Sequence, residues 1–519
     1  MKLVSAVNDK TALGVLRSLG EATMPLSWLW QHRWAIGLFV SVAAGVIYRL
    51  IWLQDMEYKE DEAWTFTQVQ AFWQTHHLPL IGMPSSAGMP NAGMSFWVFL
   101  AISSFLPIND PLALARAVQL MNVVAILLLA LFALRSVERS EREPWLWSVA
   151  LVSVNPLAVL FSRKIWPQDT LPVFTVGMLV GWWYRRRWWG AFLWGLVGAF
   201  LGQIHLGGFL FAAAFVACTL LFDRRSVRWF TWFAGSILGA LPMVPWLMVA
   251  IGFAQNAYDM NQYNPLFILR RISKIIYLFI QHWLSLSLGL DLHYSLGDNF
   301  AAFLAYPTIG HTRVYLGAAL LGVVILIFSI ILVRLAFRFY ARPHATIELI
   351  FGPRSATTLA LNAAFWGYGL LLTATLRPVY LHYLTIAFSL PALWLAWLTR
   401  AGSNGSIGST ANSRLLLTGL VLAQACLTIT FLAYIHETQF IQGDYGTVYG
   451  AQTRHGSWRS DPARRRAVRG EPEPSWSVEA SFLIIPLSNP YLSVPWARYL
   501  PQLGFKQTAI SQVRCHFEK

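Results

Sequence analysis

The sequence predicts an all-α polytopic membrane protein with about eleven transmembrane helices. It adds interfacial helices in the first external loop and a small C-terminal extracytoplasmic α/β subdomain. Three observations lead there. The 519 residues are 56% hydrophobic and only 12% charged, a composition outside the soluble range. Apolar runs of about 20 residues recur along the chain. Arginine collects in alternate short connections, the mark of membrane orientation.

The spans read as 34–53, 112–134, 145–161, 171–184, 189–204, 206–222, 229–251, 314–333, 357–375, 379–398 and 415–435. Many of the 25 tryptophans, among them Trp34, Trp52, Trp145, Trp147, Trp188, Trp189 and Trp229, lie near the ends of these runs, as interfacial aromatic belts require. The stretches Asp61–Trp73 and Ala92–Leu106 are too short or interrupted to span and read as helices lying in the interface. In the first, Ala63, Phe66, Val69 and Trp73 recur at helical spacing. The apolar run that opens the chain begins after residue 33 and is longer than a signal h-region, so no cleavable signal is expected.

With residues 1–33 cytoplasmic, the inner loops carry Arg135, Arg139 and Arg142, then Arg185, Arg186 and Arg187, then Arg224, Arg225 and Arg228. Later inner loops carry Arg334, Arg338, Arg342 and Arg354, then Arg400 and Arg414. This places loops 54–111 and 252–313 and the tail 436–519 outside. The basic run Arg464–Arg466 in that tail strains the pattern, although long segments translocate regardless of charge. Residues 401–412 read as a flexible Gly/Ser linker. In the tail, Ser481–Ile485 and the alternation of Val513, Cys515 and Phe517 read as strands. The net charge of +15 belongs to orientation, and nucleic acid is not an expected partner. Three scattered cysteines imply no disulfide framework.

The residues that could carry chemistry face outward. Glu60-Asp61-Glu62 places three carboxylates just beyond the first span. Asp61 and Glu62 can act as a general base or hold a cation, or they can cap an interfacial helix. The loop that follows, 80–94, is rich in Gly and Pro and can let a substrate approach backbone. Arg163 and Lys164, after the third span, oppose the inward bias of basic residues. A fixed anion such as phosphate would explain them, while snorkelling cations are the plain alternative. Asp169 follows closely. His205 sits in an outer hairpin, either as a hydrogen-bonded structural residue or near substrate. Arg270, Arg271 and Lys274 suggest an amphipathic interfacial helix. Arg377, Tyr380, His382 and Tyr383 form a polar group at the mouth of a span. No tight ligand spacing argues for metal.

This pattern resembles the GT-C glycosyltransferases, in a branch similar to the family 39-like bacterial membrane transferases, relatives of protein O-mannosyltransferases and the lipid A aminoarabinose transferase. The residues that carry it are a first span followed by Asp61-Glu62-Ala63, the Gly/Pro-rich loop, a second interfacial helix, and Ser162-Arg163 after the third span. Gly443-Asp444-Tyr445-Gly446 with Tyr449 and Gln452 resembles a post-membrane motif of some bacterial members. The resemblance implies a polyprenyl-phosphate-linked sugar donor, an extracytoplasmic acceptor, inverting transfer and no cofactor. It implies Asp61 as base with Glu62 beside it, and Arg163, with Lys164 and Arg377, near donor phosphate. Asp169, His205, Tyr380 and His382 are the remaining pocket candidates. The loop reads Met-Pro-Asn-Ala-Gly where many members carry His-Pro-Pro-Leu, which leaves the acceptor open. A transporter or flippase of lipid-linked sugars, or another envelope ligase or polymerase, is the alternative. A transporter would place ionisable groups in mid-span, and here most charges sit at span ends.

Overall fold

The computed structural model describes residues 26–83, 91–106, 108–248, 265–352, 355–401 and 407–454. Helices dominate, and the strand content among the described residues is one two-residue antiparallel pair, Thr308–Ile309 with Thr312–Arg313. Four helices are long and apolar enough to cross a membrane, or six if each of two bent pairs counts as one span. Several of the eleven expected spans are therefore short, bent or broken.

The first is α1 (Leu26–Leu50). The segment that follows gives α2 (Glu60–Thr75) and α3 (Met94–Ser103), in place of the two interfacial stretches read from sequence. Phe66 and Val69 of α2 are buried as the periodicity requires. Trp73 is half exposed, and its indole donates to Ser103 Oγ (2.9 Å). Next comes α4 (Pro111–Arg135), started by Pro111 at its first position and by Asp110, whose carboxylate accepts the Leu112 amide (2.6 Å).

The expected span 145–161 is two helices, α5 (Arg142–Val154) and α6 (Pro156–Phe161). Pro156 lacks the N–H that would continue the ladder, and it drives Asn155 to an extended conformation (φ −64°, ψ 127°). The Asn155 side chain then caps α6, accepting the amides of Leu157 (3.0 Å) and Ala158 (3.1 Å). After a loop, Pro167 starts α7 (Pro167–Trp183), followed by α8 (Trp188–Ile204) and α9 (Gly207–Phe222).

The region 252–313 departs from expectation. Instead of a helix lying in the interface, α10 (Pro265–Leu288) sends Ile275, Phe279 and Trp283 into the main apolar core beside Tyr368 and Phe365. It bends by 89° into the stretch 292–305. The span expected at 357–375 holds a π-helical turn, Ala363–Gly367. That expected at 379–398 is a 3-10 turn, Leu381–Ala387, set at 72° to the helix that follows. The last long helix, α11 (Ile407–Thr438), carries the chain back to the outer end of α1. The strands expected at 481–485 and 513–517 lie outside the described residues.

Two arginines lock the first helices together. Gly45 allows α1 to press on α5, since a Cβ there would stand 2.4 Å from the Ser153 carbonyl. Across this contact Arg49 donates to Ser153 O (2.7 Å) and Val152 O (3.2 Å), the open carbonyl end of α5. Arg163 returns the favour at the end of α1.

Candidate functional site

The chain leaves α1 through a tight turn, Leu53–Asp55, with Trp52 in the left-handed region (φ 45°). Arg163 holds this exit. Its guanidinium donates to the carbonyls of Tyr48 (2.7 Å), Ile51 (2.7 Å) and Trp52 (2.8 Å), and the residue is 2% exposed. The expectation that Arg163 faces an external cavity as a phosphate ligand is corrected. Both of its terminal nitrogens are engaged on the carbonyl end of α1, where the helix dipole also favours a cation.

Lys164 points the other way and is equally buried. It pairs with Glu57, which also pairs with Lys59, and Lys59 in turn meets Asp444 at 3.3 Å. The Lys164 ammonium lies over the Trp166 ring (4.7 Å). Burial lowers its pKa, but Glu57 and then Glu62 outweigh burial, so the pKa is raised and the ammonium persists. Lys164 is thus a counter-ion inside a carboxylate cluster, not an anion receptor open to solvent.

The acidic triplet divides. Glu62 is fully buried, and its Oε2 accepts the Lys59 amide (2.9 Å), which ties down the start of α2. Its pKa is pushed up to about 8, first by burial and then by Glu57. Asp61, one residue earlier, is exposed. Among the described residues its carboxylate has no hydrogen-bond or ion-pair partner. The helix-capping role therefore falls to Glu62, and the Asp61 carboxylate stays exposed.

Asp169, in the first turn of α7, is 2% exposed, and neither carboxylate oxygen finds a hydrogen-bond donor. Lys164, Glu62 and Glu57 are the charges around it. Its backbone is fixed by Asn122 of α4, whose amide donates to Asp169 O (2.8 Å).

The aromatic side of the site joins three segments. His382 meets Trp166 edge-on (5.3 Å), Tyr380 stacks on His382 (5.7 Å), and His205 lies 6.5 Å away. Burial pulls His205 down to about 4, and its Nδ1 accepts the Gly207 amide (3.2 Å), so it is a neutral structural imidazole. Arg377 is exposed on the loop before Tyr380.

Sequence reading missed Glu57, Lys59 and Asp55. Asp55 Oδ2 pairs with His436 Nδ1 (2.7 Å), and His436 stacks on Trp52 (4.5 Å). These charges lie beside the triplet in sequence, but their partners, Lys164, His436 and Asp444, come from distant segments. The segment Gly443-Asp444-Tyr445-Gly446 supplies the last of these. Gly443 packs so closely on Gly297 that a Cβ would stand 2.3 Å from its nitrogen. Tyr445 Oη donates to Asp55 O, and Gln452 donates to Tyr58 O (2.8 Å). Among the described residues no group of three or more His, Cys, Asp or Glu is placed to hold a metal ion.

An apolar groove of about 280 Å³ runs between α4, α7 and the end of α3, lined by Ile102, Phe105, Leu120, Met121, Val124 and Val173 among others. Val173 lies one helical turn from Asp169, and Leu120 and Met121 lie between Gln119 and Asn122. The groove thus adjoins Asp169 on α7 and Gln119 and Asn122 on α4.

No family model and no curated protein matches this chain. Two solved structures from Archaeoglobus fulgidus are similar to it at 14% identity, over 86% of this chain and 61% of theirs. One is the oligosaccharyltransferase in its apo form, with a TM-score of 0.44. The other is the archaeal oligosaccharyltransferase AglB in complex with an inhibitory peptide and a dolichol-phosphate, with a TM-score of 0.42. This chain spans less than two thirds of their length, and both scores lie below 0.5, so the functional reading rests on this chain's own residues.

Proposed function

We propose that the chain is a GT-C-type membrane glycosyltransferase, residues 34–435 forming its transferase domain. It moves a sugar from a polyprenyl-phosphate-linked donor to an extracytoplasmic lipid, glycan or protein, with inversion. The observation that carries this is the juxtaposition of Asp169, a buried carboxylate of α7 without a hydrogen-bond partner, with an apolar groove between α4 and α7. A polar sugar on an isoprenoid tail matches that pairing of surfaces.

In this reading the acceptor O–H or N–H gives its proton to the Asp61 carboxylate as its lone pair attacks the anomeric carbon. The new bond forms at that carbon while its bond to the phosphate oxygen breaks. The electron pair leaves with the polyprenyl phosphate, whose charge Arg377 meets at the rim. Lys164 and Arg163 act indirectly. Lys164 pairs with Glu57 and holds it in place, and Arg163 fixes the turn that leads to Asp61. Tyr380 and His382 supply an aromatic wall.

The test is transfer in proteoliposomes carrying polyprenyl-phosphate sugars, followed by mass spectrometry of added acceptors and of envelope glycans from cells with and without the protein. Sugar appearing on an acceptor is the expected result. Lipid-linked sugar that crosses the bilayer unchanged, with no acceptor modified, refutes the reading in favour of a flippase.

A further inference from the structure

Buried side chains normally satisfy their hydrogen bonds. At the outer ends of α2, α4 and α7 several do not. Glu62 Oε1, Trp166 Nε1, Gln168 Oε1, both Asp169 oxygens and both amide atoms of Gln119 are buried without a hydrogen-bond partner. Gln119 is the least expected of these, because it is fully buried on an otherwise apolar helix. Its place is fixed by its neighbours. Asn122, three residues further along α4, bonds the Asp169 backbone, so Gln119 stands about 4.5 Å nearer the outer surface, level with the residues that enter α7. Val118, next to it, packs in one cluster with Ile165, Tyr58 and Phe66 of the site.

The chemistry of the unpartnered set names its ligand. The set mixes donors and acceptors: Gln119 Nε2, Trp166 Nε1 and the protonated Glu62 carboxyl can donate, while Gln119 Oε1, Gln168 Oε1 and the Asp169 oxygens can accept. A phosphate brings acceptors alone and would leave Gln119 Oε1, Gln168 Oε1 and the Asp169 oxygens unmatched. Hydroxyl groups, each giving one proton and taking another, are the right complement. We infer that Gln119, with Asp169 and Gln168, forms the subsite that recognises hydroxyls of the donor sugar, and that Gln119 determines sugar specificity. This rests on the transferase reading and adds a residue that takes no part in bond breaking.

The experiment compares wild type with Gln119→Met, and with Gln119→Leu should the first fold poorly. The donors are polyprenyl-phosphate hexoses and the matching monodeoxy sugars. Wild type should prefer one hydroxylated donor over its deoxy analogue by roughly ten-fold in kcat/KM, and Gln119→Met should abolish that preference, because the lost partner is a hydrogen bond. Removal of a buried unpaired amide should also raise Tm by about 1–2 °C. A Gln119→Met protein that keeps the wild-type preference, or that loses Tm instead of gaining it, overturns the subsite alone. A wild-type protein that turns over none of the donors overturns the transferase reading, and the subsite falls with it.

Discussion

Replacing Arg163 by alanine separates a structural clasp from a ligand for donor phosphate. The guanidinium makes three short bonds to the carbonyls of Tyr48, Ile51 and Trp52, with a longer one to Arg49 O (3.5 Å). Removal strands carbonyl groups at a helix end that water reaches poorly. Charge-assisted bonds contribute about 1.5–3 kcal/mol each. Part of that is recovered as the end of α1 frays, so the net loss is roughly 3–5 kcal/mol, the scale seen when a buried charge loses its partners. At the unfolding entropy of a chain this long, the loss lowers Tm by about 3–5 °C. Arg163→Lys should recover little, because one ammonium cannot span three carbonyls in the plane that the guanidinium fills. The assay is thermal unfolding of the detergent-purified protein, beside transfer per folded molecule. The clasp predicts that Tm falls first, while surviving folded protein retains much of its transfer. An Arg163→Ala protein with wild-type Tm and lost donor use would refute the clasp and restore the phosphate role.

Three further outcomes are expected. Asp61→Asn should leave Tm unchanged, as Asp61 bears no capping bond, while transfer falls roughly 10²–10⁴-fold; Glu62→Ala should cost about 1 kcal/mol of stability, and the same result from both variants would sink this division of roles. Glu62 has an ordinary value of 4.5 and a folded value of about 8, so the folded state holds the extra proton. Stability from this group is full below pH 4.5 and is lost as pH rises through about 8, so Glu62→Gln should gain Tm over wild type across that window, and a pH-independent gap would contradict it. Cysteines placed at Glu60 and Arg377 should label from outside intact cells, and those at Arg186 and Arg225 only after permeabilisation; the opposite pattern inverts the topology.

Glu143 and Asp223 show what the arginine-rich connections do in the fold. Both lie in the arginine-rich loops that the sequence places inside, and both are used there: Glu143 binds Arg414 (2.7 Å), and Asp223 pairs with Arg185. Apolar run length and arginine spacing are local properties, so the helical membrane class and the order of most helices could be read directly. Kinks were partly legible. Pro156 announces the break between α5 and α6, and Gly289 (φ 71°) marks the 89° bend after Leu288, but nothing local marks the π-helical turn at Ala363–Gly367.

The site divides along the same line. The sequence by itself determined which charges lie beyond the first and third spans, because a carboxylate or an arginine in a mostly apolar chain must sit at a boundary. It could not determine their partners. Arg163 and Lys164 are adjacent in sequence and alike in charge, yet one is spent on the end of α1 and the other on Glu57. Asp61 and Glu62 are adjacent too, and one is exposed while the other is buried. Successive residues at a loop or helix start point in different directions, and what each meets comes from segments more than a hundred residues away. Only the packing of the 163–164 turn against the exit of α1, with the Asp444 loop closing on Lys59, decided which of these charges are consumed in holding the fold and which stay open for chemistry.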